Sequence, residues 1–217
     1  MDLVTLGYYI CEPAVNIYEK LKDVGNLRVS ISGCLGTQHP VLTSCFWMGY
    51  LEEKETYRKK WKMDEETFCD LKKDVADIFQ KHLIEVDSRF VNLEQAEYFY
   101  RKYFNNSGCM LVSVSVGKKY QEILEEEITF SGNNNCPVSW KNYDNAQEVL
   151  GCDIVGWDVS GFHSFLCNYL HLKLPEVRFN SFGLIDNQYE ETEIFAKRIE
   201  GQGEPVIWIP CQIGRCR

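Results

Sequence analysis

Alternating and clustered apolar positions divide the chain into predicted strands and helices. In Cys109–Val116 valine alternates with serine, a two-residue period typical of a strand, and Leu3–Ile10 is rich in β-branched and aromatic residues. Both segments are therefore predicted to be strands. Three further strands are predicted at Leu27–Ser32, Cys152–Trp157 and Val206–Ile209, the last closed by Pro210, and Phe179–Ile185 is expected to be irregular or a short strand.

Apolar residues at three- and four-residue spacing predict amphipathic helices between these strands. After Asp64 one helical face is apolar as far as His82, which is therefore expected to pack at the core or its boundary. Asn92 and Gln95 resemble a capping box that begins the next helix, in which Glu97 can pair with Arg101. Further helices are predicted at Ala14–Val24, within 45–62 (or a strand at 41–50 and a shorter helix), and at Lys118–Glu127, Asn145–Leu150, Phe162–Leu172 and Gln188–Ile199.

The order of these elements predicts an α+β fold. Strands and helices follow one another singly and in pairs, which favours one mixed β-sheet flanked by several amphipathic helices. A chain of 217 residues can bury one full core, so residues 1–217 are predicted to form a single domain. The polar segment Ser131–Ser139 contains Gly and Pro and marks a candidate sub-boundary.

Charge is distributed unevenly along the chain. Residues 1–119 contain 16 basic and 17 acidic side chains, a net charge of −1, whereas residues 120–217 contain 7 and 15, a net charge of −8. Such asymmetry bears on partners and association rates. It favours a basic protein partner and disfavours nucleic acid or an anionic membrane on the C-terminal half.

Composition and cysteine spacing favour a cytoplasmic protein. Met1–Ile10 has no basic n-region or small-residue cleavage site, and no segment approaches the ~18–20 apolar residues of a membrane span. The ten cysteines contain no C-x-x-C pair, so zinc-ribbon and redox motifs are disfavoured. We expect reduced thiols that pack as small hydrophobic groups, with Cys216 the most exposed. No cofactor is predicted.

The predicted helix Phe162–Leu172 carries the sharpest candidate for metal binding or catalysis. His163, Cys167 and His171 follow one another at four-residue spacing, at which helical side chains can share a metal ion, and Asp153 and Asp158 of the preceding strand could complete the site. Cys167 with a histidine as base would alternatively be a nucleophile. An amphipathic helix without a site explains the same pattern, and the G-x-S-x-G and phosphate-loop motifs are absent from the sequence.

The segment Lys54–Lys62 is the main basic feature. It contains five basic residues with Tyr57 and Trp61 between them, a combination that can contact a nucleic-acid backbone. Acidic residues flank it on both sides, so a helix with a solvated face and an aromatic stripe packed on the core is the favoured interpretation.

Acidic clusters in the C-terminal half are the candidate partner-binding surface. Complementary charge accelerates docking, and Trp and Tyr are frequent anchors at interfaces. Solvated surface is the alternative explanation of these clusters. The candidate partner-binding residues are Glu122, Glu125, Glu126, Glu127, Trp157, Asp158, Asp186, Glu190, Glu191 and Glu193.

Three functional hypotheses follow from the sequence. The favoured one is a non-catalytic binding protein whose acidic C-terminal half docks on a basic protein, such as an immunity-type inhibitor of a toxin. The second is an enzyme or metal-binding protein that uses His163, Cys167 and His171. The third is a subunit of a homo-oligomeric assembly that buries its exposed aromatic residues.

Overall fold

The described residues include six strands, which form one sheet at the centre of the fold. The computed structural model describes residues 2–11, 58, 61–84, 89–130, 140–142, 148–158, 161–166, 170–180, 182–186, 188–203 and 207–216. The sheet order is β3-β1-β2-β6-β4-β5. Its strands are β1 (Leu3–Cys11), β2 (Met110–Gly117), β3 (Lys141–Asn142), β4 (Glu148–Asp158), β5 (Gly161–Ser164) and β6 (Trp208–Arg215).

In the part of the chain that the structure describes, four α-helices pack against this sheet or against one another. They are α1 (Glu65–Gln80), α2 (Leu93–Phe99), α3 (Gln121–Phe130) and α4 (Tyr189–Ile199). A π-helical turn, Tyr100–Phe104, continues α2, and short 3₁₀ helices cover Lys118–Tyr120 and Leu170–Lys173. None of the helices in these described ranges is long and apolar enough to span a membrane.

The predicted α+β class with one sheet is confirmed, as are most of the predicted elements that fall within the described ranges. Among the described residues, each of the five strand pairings is antiparallel, whereas the predicted sheet was mixed. Side-chain caps set the predicted helix starts: Asp64 accepts a hydrogen bond from the Thr67 amide, and Asn92 accepts one from the Gln95 amide. The predicted elements at Ala14–Val24, Leu27–Ser32 and Ser131–Ser139, and most of 45–62, lie outside the described residues.

Two predicted helices are wrong and the last strand is longer than predicted, and strand pairing explains each difference. Glu148–Leu150, expected to end a helix, begins β4, which pairs along β6. The predicted helix Phe162–Leu172 starts instead as β5, which pairs with β4 from Ser164 to Gly161. The last strand continues through Pro210 to Arg215, because partners on both sides fix it. Local apolar spacing predicted helices at the first two sites, and pairing across the sheet overrides that preference.

His82 also differs from its predicted place. Helix α1 ends at Gln80, and His82 lies in the following turn with φ of 55° and an exposed side chain. The buried face of α1 stops at Ile78. The apolar periodicity continues in the sequence beyond the point at which the helix itself ends.

The two faces of the sheet are covered by different helices. On one face, Leu124 of α3 packs in the cluster that contains Val114 and Ile213. On the other face α1 and α2 cover Ile10 and Leu111, and α4 packs with Trp208 and Ile154. Because successive strand residues point to opposite faces, Trp208 and Ile154 face away from the α3 side. Helices α3 and α4 therefore lie on opposite faces of the sheet.

A buried arginine stabilises an irregularity in β1. The register of β1 against β2 shifts between Thr5 and Gly7, and the Leu6 carbonyl there accepts a hydrogen bond of 3.0 Å from the Arg89 guanidinium. Arg89 is 0% exposed. It crosses directly over Gly7, where an added Cβ would lie 2.6 Å from Arg89 Cγ. Only glycine leaves room for the guanidinium to reach the bulge.

Candidate functional site

Two adjoining grooves open beside the first turns of α4. The first groove has a volume of about 650 Å³ and is lined by Glu176, Arg178, Asp186, Gln188, Glu191, Ile194 and Phe195. The second groove, about 440 Å³, lies between α4 and the start of β4, and its lining includes Val149, Leu150, Ile185, Asp186, Gln188 and Glu190. Asp186 and Gln188 belong to both, so the two grooves form one continuous concave surface.

Tyr189 fixes the start of α4 on the sheet. The β2–β6 ladder ends at the pair Val116 and Cys211, and the Tyr189 hydroxyl occupies the next position. It accepts a hydrogen bond from the Gly117 amide and donates one to the Pro210 carbonyl, each 2.8 Å long. Burial raises the pKa of the Tyr189 hydroxyl, so this group remains neutral and can donate. The first turn of α4 is therefore bound to both strands.

Glu193 is engaged in ion pairs within the protein. Its carboxylate forms ion pairs with Lys119 and with Lys197, the latter 3.0 Å long. The hydrogen bond from Lys119 is the main reason why the pKa of Glu193 is lowered. This candidate partner-binding residue therefore connects α4 to the 3₁₀ turn that precedes α3.

A hydrogen-bonded turn holds the opposite wall of the grooves. The side-chain nitrogen of Asn180 donates a hydrogen bond of 2.6 Å to the Leu150 carbonyl. The side-chain oxygen of Asn180 accepts hydrogen bonds from the backbone amides of Phe182 and Leu184. Cys152 and Ile185 exchange a pair of backbone hydrogen bonds of 2.9 and 2.7 Å. These contacts place the next residue, Asp186, between the two grooves.

The grooves combine acidic charge with exposed aliphatic groups. Three of the sequence-predicted residues, Asp186, Glu190 and Glu191, are exposed there. The residue exposure is 58% for Ile194 and 52% for Val149. Neither was predicted, although Ile194 falls outside the apolar face of α4 and could have been identified from that spacing.

The acidic residues of α3 form a separate patch on the opposite face of the sheet. Glu122 and Glu126 are exposed. Glu125 is also exposed. Its carboxylate accepts hydrogen bonds from the side-chain amide of Gln121 at 3.1 Å and from the Trp140 indole at 2.5 Å. The side chains of Glu127, Trp157 and Asp158 lie outside the described part of α3 and β4. The predicted acidic residues therefore lie on two separate surfaces, the α4 grooves and the α3 patch, and these face opposite sides of the sheet.

The helical spacing that suggested a metal site is not present. His163 belongs to β5 and His171 to a 3₁₀ helix, while Cys167 lies outside the described residues. Within the described ranges there is no group of three or more His, Cys, Asp and Glu side chains placed to hold a metal ion. The metal hypothesis therefore loses the periodicity from which it was derived.

Most of the cysteines in the described ranges are buried. Cys11, Cys109, Cys152 and Cys211 are buried, and Cys69 and Cys216 are half-buried. Burial raises the pKa of the Cys152 thiol to about 11 and also raises that of Cys211. A raised pKa disfavours the thiolate that nucleophilic or redox chemistry needs.

Asp153, the proposed additional metal ligand, is a buried residue of β4. Its carboxyl oxygen Oδ1 accepts hydrogen bonds from the Ile154 amide at 2.8 Å and from the Ser164 hydroxyl at 3.0 Å. Burial raises its pKa to about 8. The group connects β4 to β5.

The basic segment is described only in part. Trp61 is buried, with its ring centroid 5.6 Å from that of Phe104, and Arg58 donates a hydrogen bond to the Met63 carbonyl. Trp61 thus packs on the core, as the favoured interpretation expects, and offers no face to a nucleic-acid base. Residues 54–57, 59 and 60 lie outside the described residues.

Comparisons with known protein families, curated proteins and solved structures gave no match to this chain.

Proposed function

We propose that the protein is a non-catalytic binding protein and that the α4 grooves receive a basic protein partner. The observation that carries this proposal is the position of Asp186, Glu190 and Glu191, which line one concave surface together with exposed Ile194 and Val149. Carboxylates around aliphatic side chains suit a partner that presents cationic and apolar groups together. An immunity-type inhibitor of a basic toxin is the form of this function that the acidic charge supports.

Preorganisation of the grooves supports the same function. Tyr189 and Glu193 hold α4 in place, and Asn180 holds the opposite wall. A surface that is already ordered loses little conformational entropy when a partner binds. The exposed carboxylates then act mainly on the association rate, through long-range attraction that salt weakens.

Charge reversal at two matched positions tests the proposal. The basic protein that co-purifies with the chain from its own cells is identified by native mass spectrometry, and binding kinetics are measured over a range of salt. The double variant Asp186→Lys/Glu190→Lys should lower the association rate constant about tenfold at low salt and flatten its salt dependence. The control Glu122→Lys/Glu126→Lys changes the net charge equally on the α3 patch and should have a much smaller effect.

If the partner docks on α3 instead, the effects of the two double variants on the association rate are reversed. A large loss in the α3 control with normal kinetics in the α4 variant would move the docking surface to α3 and refute the proposal. Circular dichroism and thermal unfolding of both variants would show that each retains the fold.

A further inference from the structure

Asp153 is a buried carboxyl group that makes no ion pair with any residue that the structure describes. The residue is 2% exposed. In the register of β4 on β6 it lies opposite Cys211, a member of the apolar cluster that α3 covers. Its hydrogen bonds from the Ile154 amide and the Ser164 hydroxyl are 2.8 and 3.0 Å long. In this place an ionised carboxylate lacks both water and a counter-charge, so burial favours the protonated form.

On its outer side Asp153 is covered by β5 and the turn that follows it. Strand β5 is four residues long and is the outermost strand at this end of the sheet. The Ser164 hydroxyl, which donates to Asp153, also accepts a hydrogen bond of 3.2 Å from the Leu166 amide. The Phe165 amide donates to the Ile154 carbonyl at 2.8 Å. The same few contacts therefore close the turn onto β4 and bury the carboxyl group.

The titratable groups around Asp153 supply no positive charge. From β6, the Cys211 thiol lies opposite, and burial raises its pKa so that it stays neutral. Helix α4 covers the other face of the sheet, where burial, followed by the charges of Asp153 and Glu190, raises the pKa of the Cys152 thiol. On α3, three charged side chains are described, and all are exposed: Glu122, Glu125 and Glu126. Among the described residues, hydration is therefore what the ionised Asp153 lacks.

We propose that β5 is a pH-sensitive latch, which opens from β4 when the Asp153 carboxyl group loses its proton. In the open state β5 and residues 165–166 separate from β4 and admit water to the carboxylate, while the pairings among β1, β2 and β6 remain. The latch is independent of the proposed function, because no described residue of β5 lines the α4 grooves.

The expected pH dependence follows from the proton affinities of the closed and open states. In the closed state burial raises the pKa of Asp153 to about 8, whereas a hydrated carboxyl group has the ordinary value of 3.8. Below pH 4 both states are protonated and opening is least favourable. Between pH 4 and pH 8 only the open state has lost the proton, so the equilibrium constant for opening should rise about tenfold per pH unit.

Native-state hydrogen exchange followed by NMR tests for this opening. The amides of Phe165 and Leu166 report on the latch, and the Tyr8 amide, which donates to the Phe90 carbonyl at 3.0 Å, reports on β1. Exchange rates divided by the intrinsic rates at pH 5, 6 and 7 give protection factors. Protection at Phe165 should be lower than at Tyr8, should fall about tenfold per pH unit, and should barely change in sub-denaturing urea, because a local opening exposes little surface.

Two substitutions identify the group that controls the opening. Asp153→Asn keeps the shape of the protonated carboxyl group and does not titrate, so protection at Phe165 should become nearly independent of pH. Ser164→Ala is the matched control, because it removes a contact of the latch and keeps the carboxyl group. It should lower the protection at Phe165 and retain the tenfold change per pH unit.

Two kinds of result would overturn the proposal. Equal protection at Phe165 and Tyr8, with the same dependence on urea, would show that β5 opens only when the whole fold unfolds. Protection at Phe165 that does not change with pH, or that changes equally in the wild type and in Asp153→Asn, would show that Asp153 does not control the opening. The wild-type comparison with urea needs no variant and decides the first point by itself.

Discussion

Replacing Asp153 by asparagine should change how the stability of the protein depends on pH. The carboxyl group is buried in β4, and its burial raises the pKa to about 8 from the usual 3.8. Hydrogen bonds from the Ile154 amide and the Ser164 hydroxyl favour the ionised form but do not offset the cost of burial. Asp153→Asn keeps the shape of the protonated carboxyl group and removes its titration.

The magnitude follows from the different proton affinities of the folded and unfolded states. Between pH 4 and pH 8 the folded state keeps the Asp153 proton and the unfolded state has lost it. The free energy of unfolding therefore falls as pH rises through this window, by about 1.4 kcal/mol per pH unit. Below pH 4 the Asp153 carboxyl group is protonated in both the folded and the unfolded state, and above pH 8 it is ionised in both. From pH 5 to pH 7 the wild type should lose about 3 kcal/mol relative to Asp153→Asn.

Urea unfolding followed by tryptophan fluorescence at pH 5, 6 and 7 measures this difference directly. Other groups titrate as well, so the quantity of interest is the change in wild-type stability minus that of Asp153→Asn. Ser164→Ala is the control, because it keeps the carboxyl group and should keep the pH dependence. Parallel curves for the wild type and Asp153→Asn, or a carboxyl ¹³C signal of Asp153 that titrates near pH 4, would refute the reasoning.

Three further predictions concern stability and can be checked by the same unfolding measurement. Gly7→Ala should destabilise the fold by about 2 kcal/mol, because the new Cβ overlaps the Arg89 side chain, and an unchanged stability would contradict that packing. Tyr189→Phe should cost about 1–3 kcal/mol, since it leaves a buried amide and a carbonyl without their partner, and a neutral result would mean that water replaces the hydroxyl. Asn92→Ala should cost about 1 kcal/mol by removing a helix cap, whereas Asn92→Asp should not.

The sequence predicts elements well where local interactions decide the structure. Helix α1 begins after Asp64 and α2 after Asn92, because each cap is formed by a side chain and an amide three residues apart. The strand at Cys109–Val116 is equally clear from its alternation. By contrast, β5 forms because β4 lies beside it, and its apolar spacing alone resembles a helix.

The candidate site was predictable in part for the same reason. Glu190 and Glu191 were found because acidic side chains in a helix are visible in the sequence. Their separation from the α3 patch depends on which sheet face each helix covers, and only the strand pairing fixes that. Val149 was missed because it was assigned to a helix, although it lies in β4 beside the second groove.

Hydrogen–deuterium exchange tests the central claim, that a basic partner docks on the α4 grooves, most directly. The protein is measured alone and in complex with the basic protein that co-purifies with it. We predict slower exchange in the complex at Glu148–Cys152 and Tyr189–Phe195, with no change in Gln121–Phe130 of α3. Protection of α3 with unchanged exchange in α4 and at the start of β4 would contradict the claim.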